Sequence, residues 1–514
     1  MATHIFAAID VGSFELELGI YEISTKNGIR QIDHLRHVIA LGKDTYNTGK
    51  ISYELVDEMC QILAGFKSVM DTYRVEAYRA YATSAMREAK NNQIILDQIL
   101  VRTGIEVEII SNSEQRLLSY KAIAVKETEF SKIIQKGTAI VDVSFGSVQI
   151  SLFDKDALVS TQNMKVGVLR LRELLNRIQA ETRVQYSLVE ELVDNELITF
   201  KKIYLKDREI KNIVGIGESI LYLFRSAGGS EVQKVEKIGI AEFKKFCERL
   251  VTLPVSQIED EFGVNADYAT LLVPSALIYK QILEMTGAEM LWIPGIRLCD
   301  GIAAEYAEKI RLVKFGHGFE DDILAASRSM SKRYRCHTSH IQNIEGFAVK
   351  IFDSMKRFHG LGERERLLLR IATILHDCGK FVSMSNPSQC AYNIIMATEI
   401  IGLSHREREI IANVVRYNTA EFDYNQVHVE NGDAEGATIL VAKLTAMLRL
   451  ANAMDRSHKE KMENCKLTVK ENQLVISTSY EGDLSLEMIA ITQKADFFEE
   501  IFGIRPVLKQ KRRV

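Results

Sequence analysis

Prolines, paired cysteines and long apolar runs are all scarce in this 514-residue sequence. The five prolines, with no Ser- or Gly-rich linker, indicate domains that pack closely together. The seven cysteines stand singly without a CxxC pair, which favours core thiols over disulfides or zinc ligands. No apolar stretch reaches the roughly 18 residues of a membrane span, and the N-terminus lacks a charged region and a small-residue cleavage site. We therefore expect a cytoplasmic protein that makes no membrane contact.

Strong net charge is also lacking. A formal charge of −4 gives no global attraction to nucleic acid or to an anionic membrane, so we expect neither as a partner. The content of 46% apolar and 26% charged residues is that of a globular protein. At roughly 150 residues per domain, the length predicts three or four domains.

One pattern occurs twice in the first half of the chain. Residues 7–18, AAIDVGSFELEL, run from an apolar strand through Asp10 into a Gly-Ser turn and a second strand. Residues 139–152, AIVDVSFGSVQISL, repeat this order around Asp142. A single Asp before a turn is ordinary turn chemistry, but two matching hairpins favour two carboxylates that face a shared cleft.

The strand after the first turn carries Glu15 and Glu17 in alternation with Leu16 and Leu18. Successive side chains of a strand point to opposite faces, so we interpret the glutamates as the solvated face of a half-buried strand. Their charge is wrong for a turn that binds phosphate, because carboxylates repel phosphate oxygens.

The character of the sequence changes along the chain. Strand and helix signals mix over the first 300 residues, whereas apolar stripes at helical spacing dominate from about residue 310. The last 50 residues return to strands and one short helix. These shifts predict four segments: 1–125, 126–305, 306–460 and 461–514.

Eight short motifs resemble, in their order, those of the exopolyphosphatase / guanosine pentaphosphate phosphohydrolase (Ppx/GppA) family. The resemblance covers essentially the whole chain. The motifs are ALGKDTYNTGKIS (40–52), YATSAMREAKN (81–91), TGIEVEIISNSEQRL (103–117), IRLCDGI (296–302), ILHDCGK (374–380), GLSHRERE (402–409), VVRYN (414–418) and LANAMDRSH (450–458).

The resemblance implies a fold and an activity. The implied fold has two ribonuclease-H-like lobes of the actin/acetate kinase superfamily, an all-α HD-like domain and a small C-terminal α+β domain. The implied activity is Mg²⁺-dependent hydrolysis of a phosphoanhydride, which releases the terminal phosphate of polyphosphate or guanosine pentaphosphate by a water that a carboxylate orients. The implied ligands are polyphosphate or guanosine penta- or tetraphosphate, and the implied assembly is a homodimer.

Phosphoanhydride hydrolysis needs donors for phosphate oxygens, a cation and a carboxylate that orients water. The resemblance assigns these roles by position. The implied site consists of Glu114 and Arg87 as catalytic residues, Gly12, Ser13, Gly146 and Ser147 as phosphate-binding residues, and Asp10 and Asp142 as metal ligands.

Both phosphate-binding hairpins depart from the family pattern. Glu17 stands where the family has Arg, and such an exchange near a phosphate costs on the order of 4 kcal/mol for unit charges about 4 Å apart at an effective dielectric near 20. In the second hairpin Phe145 replaces a glycine and Gln149 replaces a Glu. These departures support an alternative function, a catalytically degenerate member that senses polyphosphate or alarmone or serves as a scaffold.

The helical region departs in a similar way. His340, His376 and Asp377 match the first three ligands of metal-binding HD domains, but Asn452 stands at the fourth position. Residues 387–395 also lack the histidines that the family has there. We therefore expect no transition metal in this domain and interpret His376 and Asp377 as a hydrogen-bonded pair.

Overall fold

The computed structural model describes residues 3–126, 130–135, 137–154, 157–178, 182–206, 208–224, 236–429 and 434–510. The chain forms two compact units, Met1–Asp322 and Ile323–Val514. All seven cysteines are free thiols, and five of them are buried. None of the helices in the described part of the chain has the length and apolar character that a bilayer crossing demands.

The first lobe of the first unit is a five-stranded sheet with helices. Its central strand is apolar and buried on both faces, which is typical of a sheet covered on both sides. The spatial order is β3-β2-β1-β4-β5, with β1 antiparallel to β2 and parallel to β4. The elements are β1 (Thr3–Val11), β2 (Glu15–Ser24), β3 (Gly28–Val38), α1 (Leu41–Thr48), α2 (Tyr53–Thr72), β4 (Ala77–Ala82), α3 (Ser84–Glu88), α4 (Asn92–Thr103), β5 (Glu108–Ile109) and α5 (Asn112–Lys126).

The second lobe repeats this topology and adds one strand. The order is β10-β11-β9-β6-β7-β8, so an antiparallel hairpin again lies beside parallel strands. The elements are α6 (Phe130–Ile134), β6 (Thr138–Val143), β7 (Val148–Asp154), β8 (Ala157–Met164), α7 (Val168–Ile178), α8 (Thr182–Phe200), a π-helical turn (Lys201–Leu205), β9 (Asn212–Ile216), α9 (Glu218–Leu223), β10 (Glu236–Gly239), α10 (Ile240–Thr252), α11 (Val255–Phe262), α12 (Ala266–Thr286), β11 (Met290–Ile293) and α13 (Leu298–Lys309).

The two hairpins of the repeat have the same register. Asp10 lies opposite Glu17 in the first hairpin, and Asp142 lies opposite Gln149 in the second. Each tip is closed by an equivalent backbone bond, from Gly12 N to Glu15 O in one and from Ser144 N to Ser147 O in the other, both 3.0 Å long. The repeat in the sequence therefore corresponds to a repeat in structure.

Phe14, at the tip of the first hairpin, packs into the hydrophobic core of the second lobe. Its ring centroid lies 4.9 Å from that of Phe145 and 5.0 Å from that of Tyr268. Aromatic pairs at such separations contribute about 0.5–1.5 kcal/mol beyond the area they bury. The tip of the first hairpin is thus anchored in the second lobe.

The second unit is helical, with a small sheet near its end. The line between the units falls inside α14, and the sheet order is β12-β13-β14. The elements are α14 (Phe319–Arg333), α15 (Thr338–Ser354), α16 (Lys356–His359), α17 (Glu363–Leu375), a 3₁₀ turn (Cys378–Phe381), α18 (Pro387–Ala397), α19 (His405–Tyr417), a 3₁₀ turn (Tyr424–Gln426), α20 (Ala434–Ala453), β12 (Lys466–Lys470), β13 (Gln473–Thr478), α21 (Ser485–Phe502) and β14 (Arg505–Gln510).

Candidate functional site

A cavity of about 60 Å³ lies where both hairpin tips meet the N-terminal part of α5. Asp10 comes near the carboxyl end of β1 and Asp142 near that of β6, and ligands of open α/β sheets bind outside these strand ends. A buried water needs about 10–15 Å³ by this kind of measure, so the cavity has room for roughly four to six waters. It therefore has room for a phosphate group or a hydrated ion.

The structure brings six of the eight implied site residues of the first unit together at this cavity. Its lining includes the implied phosphate-binding and metal-binding residues Asp10, Gly12, Ser13, Asp142, Gly146 and Ser147.

Glu114 and Arg87 lie elsewhere. Glu114 closes the start of its own helix, since its Oε2 accepts from Ser111 N at 2.8 Å and its N–H donates to Ser111 Oγ at 3.1 Å. The guanidinium of Arg87 donates to the Ile110 carbonyl and the Asn112 side chain.

Helix α5 turns a different residue toward the cavity. Gln115 and Ser119, one helical turn apart, line it. Adjacent helix positions are rotated by about 100°, and Glu114, to one side of Gln115, lies outside the cavity lining. The position closest in sequence to the implied general base therefore presents an amide.

The hydroxyl of Ser13 is held in a triangle of three hydroxyls. Ser13 Oγ lies 2.8 Å from Ser84 Oγ and 2.9 Å from Tyr46 Oη, and these last two are 3.0 Å apart. A Cβ atom at Gly146 would lie 2.2 Å from Tyr46 Oη and 2.3 Å from Ser84 Oγ. Gly146 is thus required for close approach of the second hairpin to these hydroxyls.

The interpretation of Glu15 and Glu17 as a solvated face is wrong, because both side chains are buried at 1% and 0% exposure. Helix α13 packs against β2, so the strand has no solvated face. Glu17 Oε1 lies 3.3 Å from Arg297 Nε and 3.5 Å from His34 Nε2.

Glu15 has its own partners on the same face. Its Oε2 lies 3.7 Å from Arg36 Nε and accepts hydrogen bonds from the hydroxyls of Tyr268 and Tyr222. The two glutamates are therefore internal groups held by half-buried basic side chains and by buried tyrosine hydroxyls.

Burial raises the pKa of several carboxyls around the cavity. The pKa of Asp10 is well above its usual range because of burial and the nearby charges of Glu218 and Glu17. Burial raises the pKa of Glu15 to about 7 and holds that of Glu218 well above its usual range, and these two side chains share a hydrogen bond. A pair of carboxyl groups that shares one proton carries a charge of −1, where two carboxylates would carry −2.

Asp10, Glu17 and Glu218 each bring one oxygen within 4.8 Å of the others. Among the described residues, Asp10 Oδ1 and Glu17 Oε2 have no hydrogen-bond partner. Among the described residues, three carboxyl side chains line the cavity, Asp10, Asp142 and Glu218. The guanidinium of Arg297 is the basic group of the same lining.

Asp142 is oriented by its own turn and by a third loop. Ser144 Oγ donates to Asp142 Oδ1 at 2.5 Å, and burial raises the pKa of this carboxyl. Gly217, after β9, has a φ of 94°, and a Cβ atom there would lie 2.6 Å from Asp142 Oδ1. Only glycine fits this left-handed position beside the carboxylate.

Sequence reasoning missed three groups at the site: Gln115, Glu218 and Arg297. The sequence contained a local signal for each of these three residues. Ser111 and Glu114 have the spacing of a capping box, which predicts that Glu114 caps its helix. Glu218 lies in the turn GIGES, and Arg297 lies in the motif IRLCDGI.

The second unit holds another group of possible ligands. His340, His376 and Asp377 each bring one ligand atom within 4.8 Å of the others. The interpretation of His376 and Asp377 as a hydrogen-bonded pair is wrong, since His376 Nδ1 bonds to the Thr373 carbonyl and its Nε2 has no hydrogen bond among the described residues. Burial lowers the pKa of His376 to about 4, so this imidazole is neutral at pH 7.

Comparison with known proteins identifies relatives along the chain. A model of the Ppx/GppA phosphatase family matches residues 20–309, and a model of domain III of Ppx/GppA phosphatases matches residues 325–492. A guanosine-5'-triphosphate,3'-diphosphate pyrophosphatase of Photobacterium profundum is 21% identical over 481 residues, which is 92% of this chain and 91% of the relative. Exopolyphosphatase 1 of Mycobacterium bovis is 20% identical over 304 residues, 57% of this chain and 86% of the relative.

Solved structures show a similar fold. An exopolyphosphatase from Cytophaga hutchinsonii is 17% identical with a TM-score of 0.52, and it covers 60% of this chain and 100% of its own. A Ppx/GppA family member from Aquifex aeolicus is 21% identical with a TM-score of 0.50, over 60% of this chain and 99% of its own. The N-terminal part is thus an actin-like α/β fold, followed by the helical C-terminal part.

Proposed function

This chain belongs to the Ppx/GppA phosphatase family, and we propose that it binds phosphoanhydrides while its hydrolytic turnover is strongly reduced. The ligand class is inorganic polyphosphate or guanosine pentaphosphate, in keeping with the names of its relatives. The cavity at the hairpin tips has room for the terminal phosphate of such a ligand.

Gln115 carries this proposal. Activation of water requires a group that accepts a proton, and an amide does not accept one at neutral pH. Loss of a general base typically costs about 10²- to 10⁴-fold in rate. Glu114 has the right chemistry, but it caps α5 and lies outside the cavity lining.

Asp10 and Asp142 suit Mg²⁺, which prefers carboxylate oxygens and keeps several waters. Asp10 Oδ1 is buried and has no hydrogen bond within the described residues, so it is available as a ligand. When bound, Mg²⁺ supplies positive charge for phosphate oxygens. That charge is needed because Arg297, the one guanidinium among the lining residues that the structure describes, already contacts Glu17.

An active Mg²⁺-dependent hydrolase is the competing candidate. It is favoured by the alignment to a pyrophosphatase over 92% of this chain. Both candidate functions include binding of the phosphoanhydride ligand, and they differ in whether phosphate is released.

The test measures phosphate release from polyphosphate and from guanosine pentaphosphate with Mg²⁺, together with ligand binding by calorimetry. We expect the wild type to bind polyphosphate in a Mg²⁺-dependent manner without release above the blank. Gln115→Glu should gain about 10²-fold or more over that blank, since it restores a proton acceptor at the cavity. Gln115→Asn is the matched control and should gain nothing.

Two results would contradict the proposal. Robust release by the wild type that Gln115→Ala leaves unchanged and Glu114→Gln abolishes would identify Glu114 as the base. Failure of the wild type and of Gln115→Glu to bind polyphosphate with Mg²⁺ would refute the ligand class.

A further inference from the structure

Three carboxyl groups converge at one wall of the cavity in the first unit. Asp10, Glu17 and Glu218 come from β1, β2 and α9, and each brings one oxygen within 4.8 Å of the other two. Asp10 and Glu218 line the cavity, and Glu17 is 0% exposed. Asp142, on the opposite hairpin, lies outside this group of three.

The register of the first hairpin brings two of these acids together. Asp10 and Glu17 lie directly opposite each other on β1 and β2. Opposite residues have Cβ atoms about 4.5–5.5 Å apart, and like charges at such positions are destabilising. The equivalent pair of the second hairpin has one carboxyl group, that of Asp142, because Gln149 stands opposite and accepts from Arg116 Nε at 3.1 Å. The opposed acids of the first hairpin therefore require a compensating charge of their own.

Several oxygens of this group lack hydrogen bonds although they are buried. Asp10 Oδ1 and both carboxylate oxygens of Glu17 have no hydrogen-bond partner in the part of the chain that the structure describes. The two basic groups nearest to Glu17 Oε1, Arg297 Nε at 3.3 Å and His34 Nε2 at 3.5 Å, lie beyond the usual length of a hydrogen bond. Buried carboxylates are normally hydrogen-bonded, paired or bound to a metal ion, because an unsatisfied charge in the interior is costly. These oxygens are thus available to a cation.

The basic groups around these oxygens do not balance the acidic ones. The local charges come from the carboxyl groups of Asp10, Glu15, Glu17 and Glu218 and from the guanidinium groups of Arg36 and Arg297. When all of them are ionised, two negative charges remain in excess, and the imidazole of His34 offsets at most one. Excess charge in a buried site is costly unless a counter-charge is bound. One divalent cation supplies that counter-charge.

We propose that Asp10, Glu17 and Glu218 hold one hard divalent cation. Hard cations take carboxylate oxygens and water as ligands. Ca²⁺ binds oxygens at about 2.3–2.6 Å, so two oxygens on one ion can lie up to about 5 Å apart, and the three oxygens here are within that range. Waters of the adjoining cavity complete the coordination shell, since Asp10 and Glu218 line that cavity.

This position differs from the one between Asp10 and Asp142. Asp142 Oδ1 accepts from Ser144 Oγ at 2.5 Å, and Asp142 is outside the group of three. The cation also requires no phosphate ligand, because its ligands are side chains of the protein. The inference therefore stands apart from the proposed binding of phosphoanhydrides.

The test is a calorimetric titration of the chelator-treated full chain with Ca²⁺ alone, in a buffer without phosphate or polyphosphate. We expect one Ca²⁺ per chain. Binding should also raise the unfolding temperature of the first unit, since an ion that binds only the folded state stabilises it. Trp292 fluorescence reports that transition, because Trp292 lies in β11.

Variants locate the ion. Glu17→Gln and Glu218→Gln should each lower Ca²⁺ affinity by more than about 10-fold, since loss of a residue that only supports a ligand already costs that much. Glu22→Gln is the matched control on the same strand, where Glu22 pairs with Arg30 at 3.0 Å, and it should bind Ca²⁺ as the wild type does. Asp142→Asn should retain stoichiometric binding, because Asp142 is not a ligand of this ion. Circular dichroism identifies variants that fail to fold, and Glu218→Gln decides if Glu17→Gln is one of them.

Two outcomes would overturn the proposal. One is a wild-type chain that takes up no stoichiometric Ca²⁺, which would show that protons neutralise the three acids. The other is binding that Asp142→Asn abolishes and that folded Glu218→Gln leaves unchanged, which would place the ion between Asp10 and Asp142. Ca²⁺ binding by a chain that fails to bind polyphosphate would refute the proposed function and support this site.

Discussion

At the residue scale, Arg297 stabilises the acidic start of β2. Its Nε lies 3.3 Å from Glu17 Oε1, and their side chains are 11% and 0% exposed. Removal of one member of a buried ion pair leaves an uncompensated charge, which is far more costly than removal of both. The pair explains how a glutamate persists at a position where the resemblance implies an arginine.

We predict that Arg297→Met destabilises the first unit by about 3–5 kcal/mol and that Arg297→Met with Glu17→Met recovers much of the loss. Trp292, the one tryptophan of the sequence, lies in the first unit and reports its urea unfolding by fluorescence. Lys67→Met, at an exposed pair with Asp71, is the control and should cost at most about 0.5 kcal/mol. Additive losses in the double variant would show that the two charges do not depend on each other.

His359 in the second unit gives a pH-dependent prediction. Its Nε2 donates to the Phe352 carbonyl at 2.9 Å, and its Nδ1 accepts from Leu361 N at 2.8 Å, so the ring is neutral. Burial lowers the pKa of His359. Below pH about 6.5 the unfolded chain takes up a proton that the folded ring resists, so stability falls as pH falls, by at most about 1.4 kcal/mol per pH unit.

Hydrogen exchange of the peptide around Leu361 measures this effect at pH 7.5 and 5.5. Protection, corrected for the intrinsic exchange rate, should decrease at pH 5.5 in the wild type. His359→Gln should lack that decrease, whereas His405→Gln, a half-buried histidine control in α19, should retain it. Equal protection at both pH values in the wild type would refute the assigned tautomer.

At the element scale, the two hairpins were predictable because their signals are local. An apolar strand, an Asp and a tight turn within 12 to 14 residues predicted each hairpin, and the structure has both in the same register. The burial of Glu15 and Glu17 was not predictable from that window. Helix α13, which begins at Leu298, packs against β2, and alternation within one strand carries no information about so distant an element.

The orientation of α5 about its own axis was also not predictable from the motif match. The motif match placed a carboxylate at 114, but the match does not say which side of the helix faces the cavity. A rotation of about 100° per residue decides between Glu114 and Gln115. The Ser111 and Glu114 capping box was the local clue to that rotation.

The turn after β9 yields a prediction about an element. Gly217→Ala forces a φ of 94° on a residue with a Cβ and brings that atom against Asp142, so we expect a loss of about 1–3 kcal/mol. Gly65→Ala is the matched control, because Gly65 is exposed in α2 and its Cβ would meet no atom within 4 Å. The control should gain about 0.5–1 kcal/mol.

Trp292 fluorescence during urea unfolding measures both glycine variants in the first unit. Equal effects of the two substitutions would contradict the close approach of the third loop to Asp142.

At the scale of the whole molecule, composition and motif order predicted the α/β first part and the helical second part correctly. Composition and motif order said less about the binding sites, because the presence of a ligand residue in a motif does not give the orientation of its side chain. Asn452 at the fourth ligand position led to an expectation of no transition metal, which stays a prediction, while the structure brings one ligand atom each of His340, His376 and Asp377 within 4.8 Å of the others. The orientation of the two imidazoles depends on hydrogen bonds with Asp455 and Thr373, and the motif match does not include such partners.

Phe14 belongs to the first lobe by sequence and to the second lobe by packing. Withdrawal of the hairpin tip would expose this ring, at a cost of about 1.5–3 kcal/mol, and would break the hydrogen bond from Tyr268 to Glu15. Separation of the lobes at this contact therefore requires that an aromatic ring leave an apolar core, so we expect the two lobes to move as one body while Phe14 stays in place.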